Sequence, residues 1–404
     1  MQLVSTQIEK MMAGSSWIRR MFEAGIELKK KYGADAVCDF SLGNPDLVPP
    51  KQIIDALRAL PDEVDAPAGL GYMPNAGYPA VRAGLAAYVS KEQSTELKGE
   101  HMVITVGAAG GLNCLFRAIL APGDEVICPA PYFVEYGSYV GNYGGVLKPV
   151  PSTPLTFRLD LAGIENAITE KTRAIIVNSP NNPAGVIYSE DELKGLAEIL
   201  TRATEKFGRP VYLISDEPYR FLAFDGAVVP AVMPLYTYTV VVGSFSKNLA
   251  LAGERVGYVA CNPAIPGVEQ LVAAVILTNR ILGYVNAPCI GQKLMLAALG
   301  ANADASAYIR RRKKMAALLD YAGMEYQMPA GTFYFFPKVP GKMTDLEFVN
   351  LLTEERILAV PGSGFGYAGY IRLALCVDEK YIDLAREGFK RACDKARNYQ
   401  GEMK

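Results

Sequence analysis

Five short runs of β-branched and aliphatic residues recur between positions 100 and 260: MVITV (102–106), EVICP (125–129), RAIIVN (173–178), VYLIS (211–215) and TVVVGS (239–244). Longer stretches separate them. The runs are almost continuously apolar rather than alternating, as in strands covered on both faces, and strands in that situation are mostly parallel and joined by helical crossovers. An α/β domain with a mostly parallel central sheet flanked by helices follows. DELKGLAEILTRATEKFG (191–208) has apolar residues at helical spacing and stops at a glycine, so it reads as one crossover helix. A chain of 404 residues exceeds one ordinary core. A charged stretch, YIRRRKKMAALLDYAG (308–323), precedes a further set of strands expected near Met324. Two domains are therefore expected: a large one over 50–295, and a smaller α+β domain made of 296–404 with the proline-rich N-terminal segment 1–49 folded back onto it. No internal repeat or low-complexity tract interrupts this plan.

The composition narrows the chemistry. Lysine plus arginine (41) balances aspartate plus glutamate (42), which leaves no field for nucleic acid or an anionic membrane and favours small-molecule partners. Seven cysteines, at 38, 114, 128, 261, 289, 376 and 393, form no C-x-x-C pair, which suits reduced thiols in a cytoplasm. The N-terminus lacks the unbroken apolar core of a secretory signal, and no run approaches the roughly 18 apolar residues of a membrane span. His101 is the sole histidine, so a histidine base, a Ser-His-Asp triad or a multi-histidine metal site is nearly excluded, and no metal is expected. Proton transfer has to rest on Lys, Tyr, Asp, Glu or a cofactor.

Four segments carry candidate chemistry, each at an expected strand end, where α/β sheets bind ligands. In GSFSKNLALAGERVGYVA (243–260), Lys247 is framed by Ser244, Ser246 and Arg255, three groups able to grip one phosphate; an isolated loop lysine is otherwise an ordinary solvated charge. NSPNNPAGVIYS (178–189) is an irregular loop in which Asn182 can donate its amide to a phenolic oxygen or to a substrate carboxylate, or simply sit in a turn. In VYLISDEPYR (211–220), Asp216 ends a buried strand and Tyr219 follows; such an aspartate ordinarily caps the next helix, but a buried one can pair with a protonated ring nitrogen. ITVGAAGGLNCLF (104–116) runs from strand into helix through Ala108 and Ala109, small enough to let backbone N–H groups approach an anion. It matches neither the dinucleotide nor the P-loop fingerprint.

Together these segments resemble the fold type I aminotransferases of the class I/II group, in the family's order and over most of the chain. The S-x-S-K segment with an arginine eight residues on falls on Ser244, Ser246, Lys247 and Arg255, the N-P-x-G loop on Asn182 to Gly185, and the D-x-x-Y pair on Asp216 and Tyr219. The resemblance implies pyridoxal 5′-phosphate, held covalently by Lys247, with Asp216 on its ring nitrogen and Asn182 and Tyr219 on its phenolic oxygen. It implies Arg255, the two serines and the helix start at Ala108 and Ala109 around the phosphate, though the family often has a hydroxyl residue at that start. Tyr132 corresponds to the aromatic that stacks on the ring, and Tyr72 to the tyrosine that reaches the phosphate of a neighbouring subunit, implying a homodimer with shared active sites. Arg372 and the backbone of Gly43 correspond to the groups that bind the substrate α-carboxylate.

The implied activity is amino transfer between an L-amino acid and a 2-oxo acid, as in aspartate aminotransferases. The same fold and cofactor also serve lyases and synthases, including C–S β-lyases, because the cofactor does not fix which bond breaks. A non-catalytic ligand-sensing regulator would need a DNA-binding domain; only about 100 residues precede the phosphate loop, and they hold no basic helix-turn-helix segment. In LTNRILGYVNAPC, Arg280 lies two residues before the position from which relatives offer a second arginine to a dicarboxylic substrate of the other subunit. On a helix those two residues turn the side chain by about 200°.

Overall fold

Each of the five apolar runs becomes a strand of one seven-stranded sheet in the computed structural model, which describes residues 3–13, 17–65, 67 and 69–400. The strands, in chain order, are β1 (Cys38–Asp39), β2 (Met102–Val106), β3 (Glu125–Ala130), β4 (Val146–Pro151), β5 (Thr172–Asn178), β6 (Tyr212–Asp216), β7 (Thr239–Ser244), β8 (Val256–Cys261), β9 (Tyr334–Phe335), β10 (Ile357–Leu358), β11 (Val360–Pro361) and β12 (Ile371–Ala374). The large sheet has the order β2-β8-β7-β6-β5-β3-β4, and only β8 runs against its neighbours. β4 lies at the edge and is half-exposed, and its two prolines, Pro149 and Pro151, are tolerated there because an edge strand leaves N–H positions without a ladder partner.

Successive residues of the buried strands serve opposite faces, as the two-residue period of a strand requires. Ile175, Val177, Leu213 and Val241 pack with Leu193, Leu196 and Leu200 of the crossover helix Glu190–Phe207. Ala174, Ile176, Ile214, Val240 and Val242 instead meet Leu112, Leu115 and Phe116 of helix Gly107–Ile119, and Val272 and Val275 of helix Val268–Ile281. Continuous apolarity in the sequence is thus the record of two cores on one sheet. The crossover helix begins with a reciprocal cap, Ser189 accepting from the Glu192 N–H while Glu192 accepts from the Ser189 N–H, and ends at Gly208 with φ 63°. Such a cap contributes about 1 kcal/mol, and the left-handed terminus suits glycine.

The N-terminal segment joins the C-terminal elements through β1, which pairs in parallel with β10. A second small sheet, β11-β12-β9, is antiparallel, and helices Ser306–Ala322, Asp345–Glu354 and Glu379–Asn398 accompany these strands. The next strand after residue 322 starts at Tyr334, not near Met324. The apolar residues Met324 and Met328 pack against the core without ladder pairing. Among the described residues no helix is long and apolar enough to cross a membrane, and no group of three or more His, Cys, Asp or Glu is placed to hold a metal. All seven cysteines are free.

Candidate active site

The reversed strand β8 explains how residues far apart in sequence reach one place. β5, β6 and β7 end side by side, Asn178 opposite Asp216 and Asp216 opposite Val242. Because β8 starts where β7 and β2 end, with Gly257 opposite Ser244 and Val256 opposite Val106, Arg255 arrives at the same sheet edge. The helix Gly107–Ile119 also begins there, with no side-chain cap on its first N–H groups. An uncapped helix start carries free donors and the positive end of the peptide dipoles.

A cavity of about 370 Å³ opens at this edge. Its walls include Lys247, Ser244, Ser246 and Arg255 from the β7–β8 connection, and Ala108 and Ala109 from the helix start. Asp216, Tyr219 and Asn182 come from the neighbouring strand ends, and Gly43 and Arg372 from the segments that carry the small sheets. The sequence motifs are therefore brought together. Close approach explains two glycines here: a Cβ on Gly257 would lie 2.7 Å from the Ala108 nitrogen, and one on Gly43 would overlap the Tyr334 hydroxyl.

Three further expectations fall outside the cavity walls. Tyr132 does not line it; its ring lies against Gly366 and its N–H donates to the Phe365 carbonyl, 3.1 Å. The adjacent Phe133 takes the lining position. The correction is a shift of one residue, in a loop between β3 and the next helix where neither strand nor helix period decides which ring turns inward. Tyr72 is 92 % exposed, and Arg280, near the end of helix Val268–Ile281, is exposed on its own chain. His101 precedes β2 at the opposite edge of the sheet, where its Nδ1 accepts from the Lys98 N–H.

The electrostatics of the cavity are those of charges held away from water. Burial pushes the Asp216 carboxyl up to about 7, Glu217 adds to the rise, and a hydrogen bond from the Tyr136 hydroxyl to Oδ2, 2.5 Å, opposes it. The other oxygen, Oδ1, is buried without a hydrogen-bond partner. Lys247 is pulled down to about 8, chiefly by burial with Arg372 and Arg255 contributing, and its Nζ donates to the Gly43 carbonyl at 2.7 Å. Arg372 is 2 % exposed, and its Nη2 donates to the Ser41 carbonyl (2.6 Å) and its Nη1 to Asn182 Oδ1 (3.3 Å). Its Nε is buried and unpartnered, and no carboxylate of the described residues lies within 4 Å of it.

Several residues in this arrangement went unremarked in the sequence. Asn178 anchors the Asn182 loop, its Nδ2 donating to the Asp216 carbonyl (2.8 Å) and its Oδ1 accepting from the Asn182 N–H (2.7 Å). A polar residue closing a buried strand was a legible signal for it, as it was for Asp216. Tyr136 and Tyr334 lie among other aromatics and carried no such mark.

Comparison with known proteins agrees with the geometry. The profile of the family described as aminotransferase class I and II matches residues 35–389. A probable aspartate/prephenate aminotransferase of Aquifex aeolicus is 34 % identical over 386 residues, covering 90 % of this chain and 92 % of its own. The crystal structure of an amino transferase from Eubacterium rectale superposes with a TM-score of 0.94 at 35 % identity, covering 98 % of this chain and all of that one. The aspartate aminotransferase of Thermus thermophilus with maleate gives 0.84 at 29 % identity, over 97 % and 100 % of the two chains.

Proposed function

The chain belongs to the class I and II aminotransferase family and is a transaminase, and on that premise we propose that pyridoxal 5′-phosphate is held in this cavity by Lys247. The observation that carries the proposal is the pair of buried groups of opposite charge, Asp216 Oδ1 and Arg372 Nε, that lack partners in a single cavity with a low-pKa lysine. Unpartnered buried polar atoms are costly, by about 1–3 kcal/mol each, and persist where a ligand satisfies them. Their chemistry fits the cofactor at one group and an α-carboxylate at the other.

When bound, the cofactor supplies an aldehyde that takes up the amino group and a protonated ring that withdraws electrons from the Cα–H bond. Asp216 would hold the proton on the ring nitrogen, with Tyr136 fixing the carboxylate through Oδ2 and leaving Oδ1 free to accept. Tyr219 and the Asn182 amide would donate to the phenolic oxygen. Arg255, Ser244, Ser246 and the N–H groups at Ala108 and Ala109 would surround the phosphate, the two serines supplying this chain's hydroxyls there. Lys247, its pKa pulled down to about 8, would take the proton from Cα and return it to the cofactor's aldehyde carbon, on the other side of the amino nitrogen. Arg372 binds the α-carboxylate with its planar fork, and the Gly43 backbone closes on the same group. Phe133, in place of Tyr132, would supply the aromatic side chain beside the cofactor ring.

The same reading takes 50–295 as a cofactor-binding domain and 1–49 with 296–404 as a second domain closing on the carboxylate. It makes the enzyme a cytoplasmic homodimer in which Tyr72, so exposed on its own chain, reaches the partner's phosphate group. The relatives are named for aspartate and prephenate, and aspartate is the first amino donor to test, with Arg280 offered across the interface. The test is a panel of single-turnover reactions with aspartate, glutamate, alanine, phenylalanine, diaminopimelate and cystathionine. Release of the matching 2-oxo acid is the expected result. Release of pyruvate, ammonia and a thiol from cystathionine, with no oxo acid from the others, would replace transamination by β-elimination.

A further inference from the structure

We propose that Tyr334 is a positioning residue that couples the carboxylate-binding Arg372 to the cofactor-facing Tyr219. The inference rests on the roles given to Lys247, Tyr219 and Arg372 above, and it concerns a side chain to which those roles assign nothing. Tyr334 is set by the ladder itself: β9 pairs with β12, Ala374 lying opposite Tyr334 and Leu373 opposite Phe335, so the strand that carries Arg372 also fixes the tyrosine. The Arg372 guanidinium carbon stands 4.6 Å from the centre of the Tyr334 ring and 4.8 Å from that of Phe365. Two aromatic rings thus hold the fork, a favourable arrangement for a desolvated guanidinium.

The hydroxyl end of the same residue does something different. It lies 3.3 Å from the Tyr219 hydroxyl, and the two rings meet nearly edge to face at 5.9 Å and 80°. Among the described residues Tyr219 is the only side chain or backbone group hydrogen-bonded to the Tyr334 oxygen. Both tyrosines are buried, and burial raises both phenols, so both protons are retained across the working pH range. One oxygen–oxygen contact holds two protons, and only one of them fits between the oxygens. When Tyr219 donates into the cavity, Tyr334 has to be the donor to the Tyr219 oxygen. A phenol that accepts a hydrogen bond becomes a better donor, so Tyr334 strengthens the bond Tyr219 makes to the phenolic oxygen. Gly43 belongs to the same unit, since any side chain there would displace the Tyr334 hydroxyl from its place.

Two substitutions separate the two ends. Tyr334→Phe keeps the ring on Arg372 and removes the hydroxyl, whereas Tyr334→Leu removes both. The readouts are the pH titration of the visible absorbance of the Lys247-bound cofactor in the resting holoenzyme, and the split between KM and kcat. Weakening Tyr219 leaves the phenolic anion less stabilised, so the proton on the Lys247 nitrogen is held to higher pH. Tyr334→Phe is expected to raise the titration midpoint by about 0.4–1 pH unit while KM for the amino acid changes less than about twofold. Tyr334→Leu is expected to raise the midpoint similarly and KM by about three- to tenfold, from loss of the ring beneath the guanidinium. An unmoved midpoint in Tyr334→Phe, or the same KM increase in both variants, overturns the coupling. A wild-type holoenzyme with no visible band overturns the Lys247 assignment instead, and that outcome is recognisable before any variant is made.

Discussion

Replacing Asp216 by asparagine should abolish transamination and yet stabilise the cofactor-free protein, by an amount that grows with pH. Asp216 is 5 % exposed, and burial is the main reason its carboxyl moves from 3.8 up to about 7. In the unfolded chain the group keeps its ordinary value. Between about pH 4 and pH 7 the unfolded chain has therefore released a proton that the native chain still holds, and native stability falls as pH rises through that window, levelling off above it. A displacement of about three pH units amounts to on the order of 4 kcal/mol, of which about 2–3 kcal/mol is lost between about pH 5 and pH 8.5. With an unfolding entropy of roughly 2 cal/mol/K per residue over this length, that corresponds to about 3 °C in the thermal midpoint. Asparagine does not titrate. Calorimetry of both cofactor-free proteins at one protein concentration should show the midpoint of Asp216→Asn gaining about 3 °C on the wild type between those two pH values. Parallel profiles, within about 1 °C throughout, would refute the argument that burial penalises the Asp216 charge.

Tyr136→Phe removes the hydroxyl donor to Asp216 Oδ2. The acid limb of the kcat/KM profile should move up by about 1–2 pH units, the worth of a hydrogen bond to a charged group; an unchanged limb would show that Tyr136 does not hold the carboxylate ionised. Arg280→Ala should lower kcat/KM for aspartate by about 2–4 kcal/mol in transition-state terms while sparing alanine, and equal losses for both donors would remove Arg280 from the substrate pocket. Mixing inactive Lys247→Ala chains with inactive Tyr72→Phe chains should restore activity in heterodimers, one of whose two sites is then intact. No recovery in confirmed heterodimers would count against a shared site.

The parts of the fold legible in the sequence were those with long, strongly patterned signals. The buried strands β2, β3, β5, β6 and β7 announce themselves by uninterrupted aliphatic runs, and the crossover helix by its apolar spacing and Gly208. β4 escaped because edge exposure and two prolines break the apolar run, and β9 to β12 because two to four residues hold no period at all. Lys247, the residue proposed to hold the cofactor, and its neighbours Asn182, Asp216 and Ser244 were legible because they close or closely follow strands. What was lost lies in loops and on the exposed surface. Tyr132 and Phe133 are adjacent aromatics in a turn, and only the packing of Tyr132 on Gly366 decides between them. Tyr136 and Tyr334 look like core aromatics until the polar ends of their rings are traced to Asp216 and Tyr219. Tyr72 and Arg280 are exposed and do not line the cavity of their own chain, so the roles proposed for them rest on a second subunit.

The most direct test of the account is chemical. The holoenzyme is reduced with borohydride, digested, and the peptide carrying the cofactor label is identified by mass spectrometry. The account predicts label on Lys247 alone, in the peptide between Arg220 and Arg255 if cleavage is at arginine, with loss of the titrating visible band on reduction. Label on any other lysine, or retention of the visible band after reduction, would contradict it.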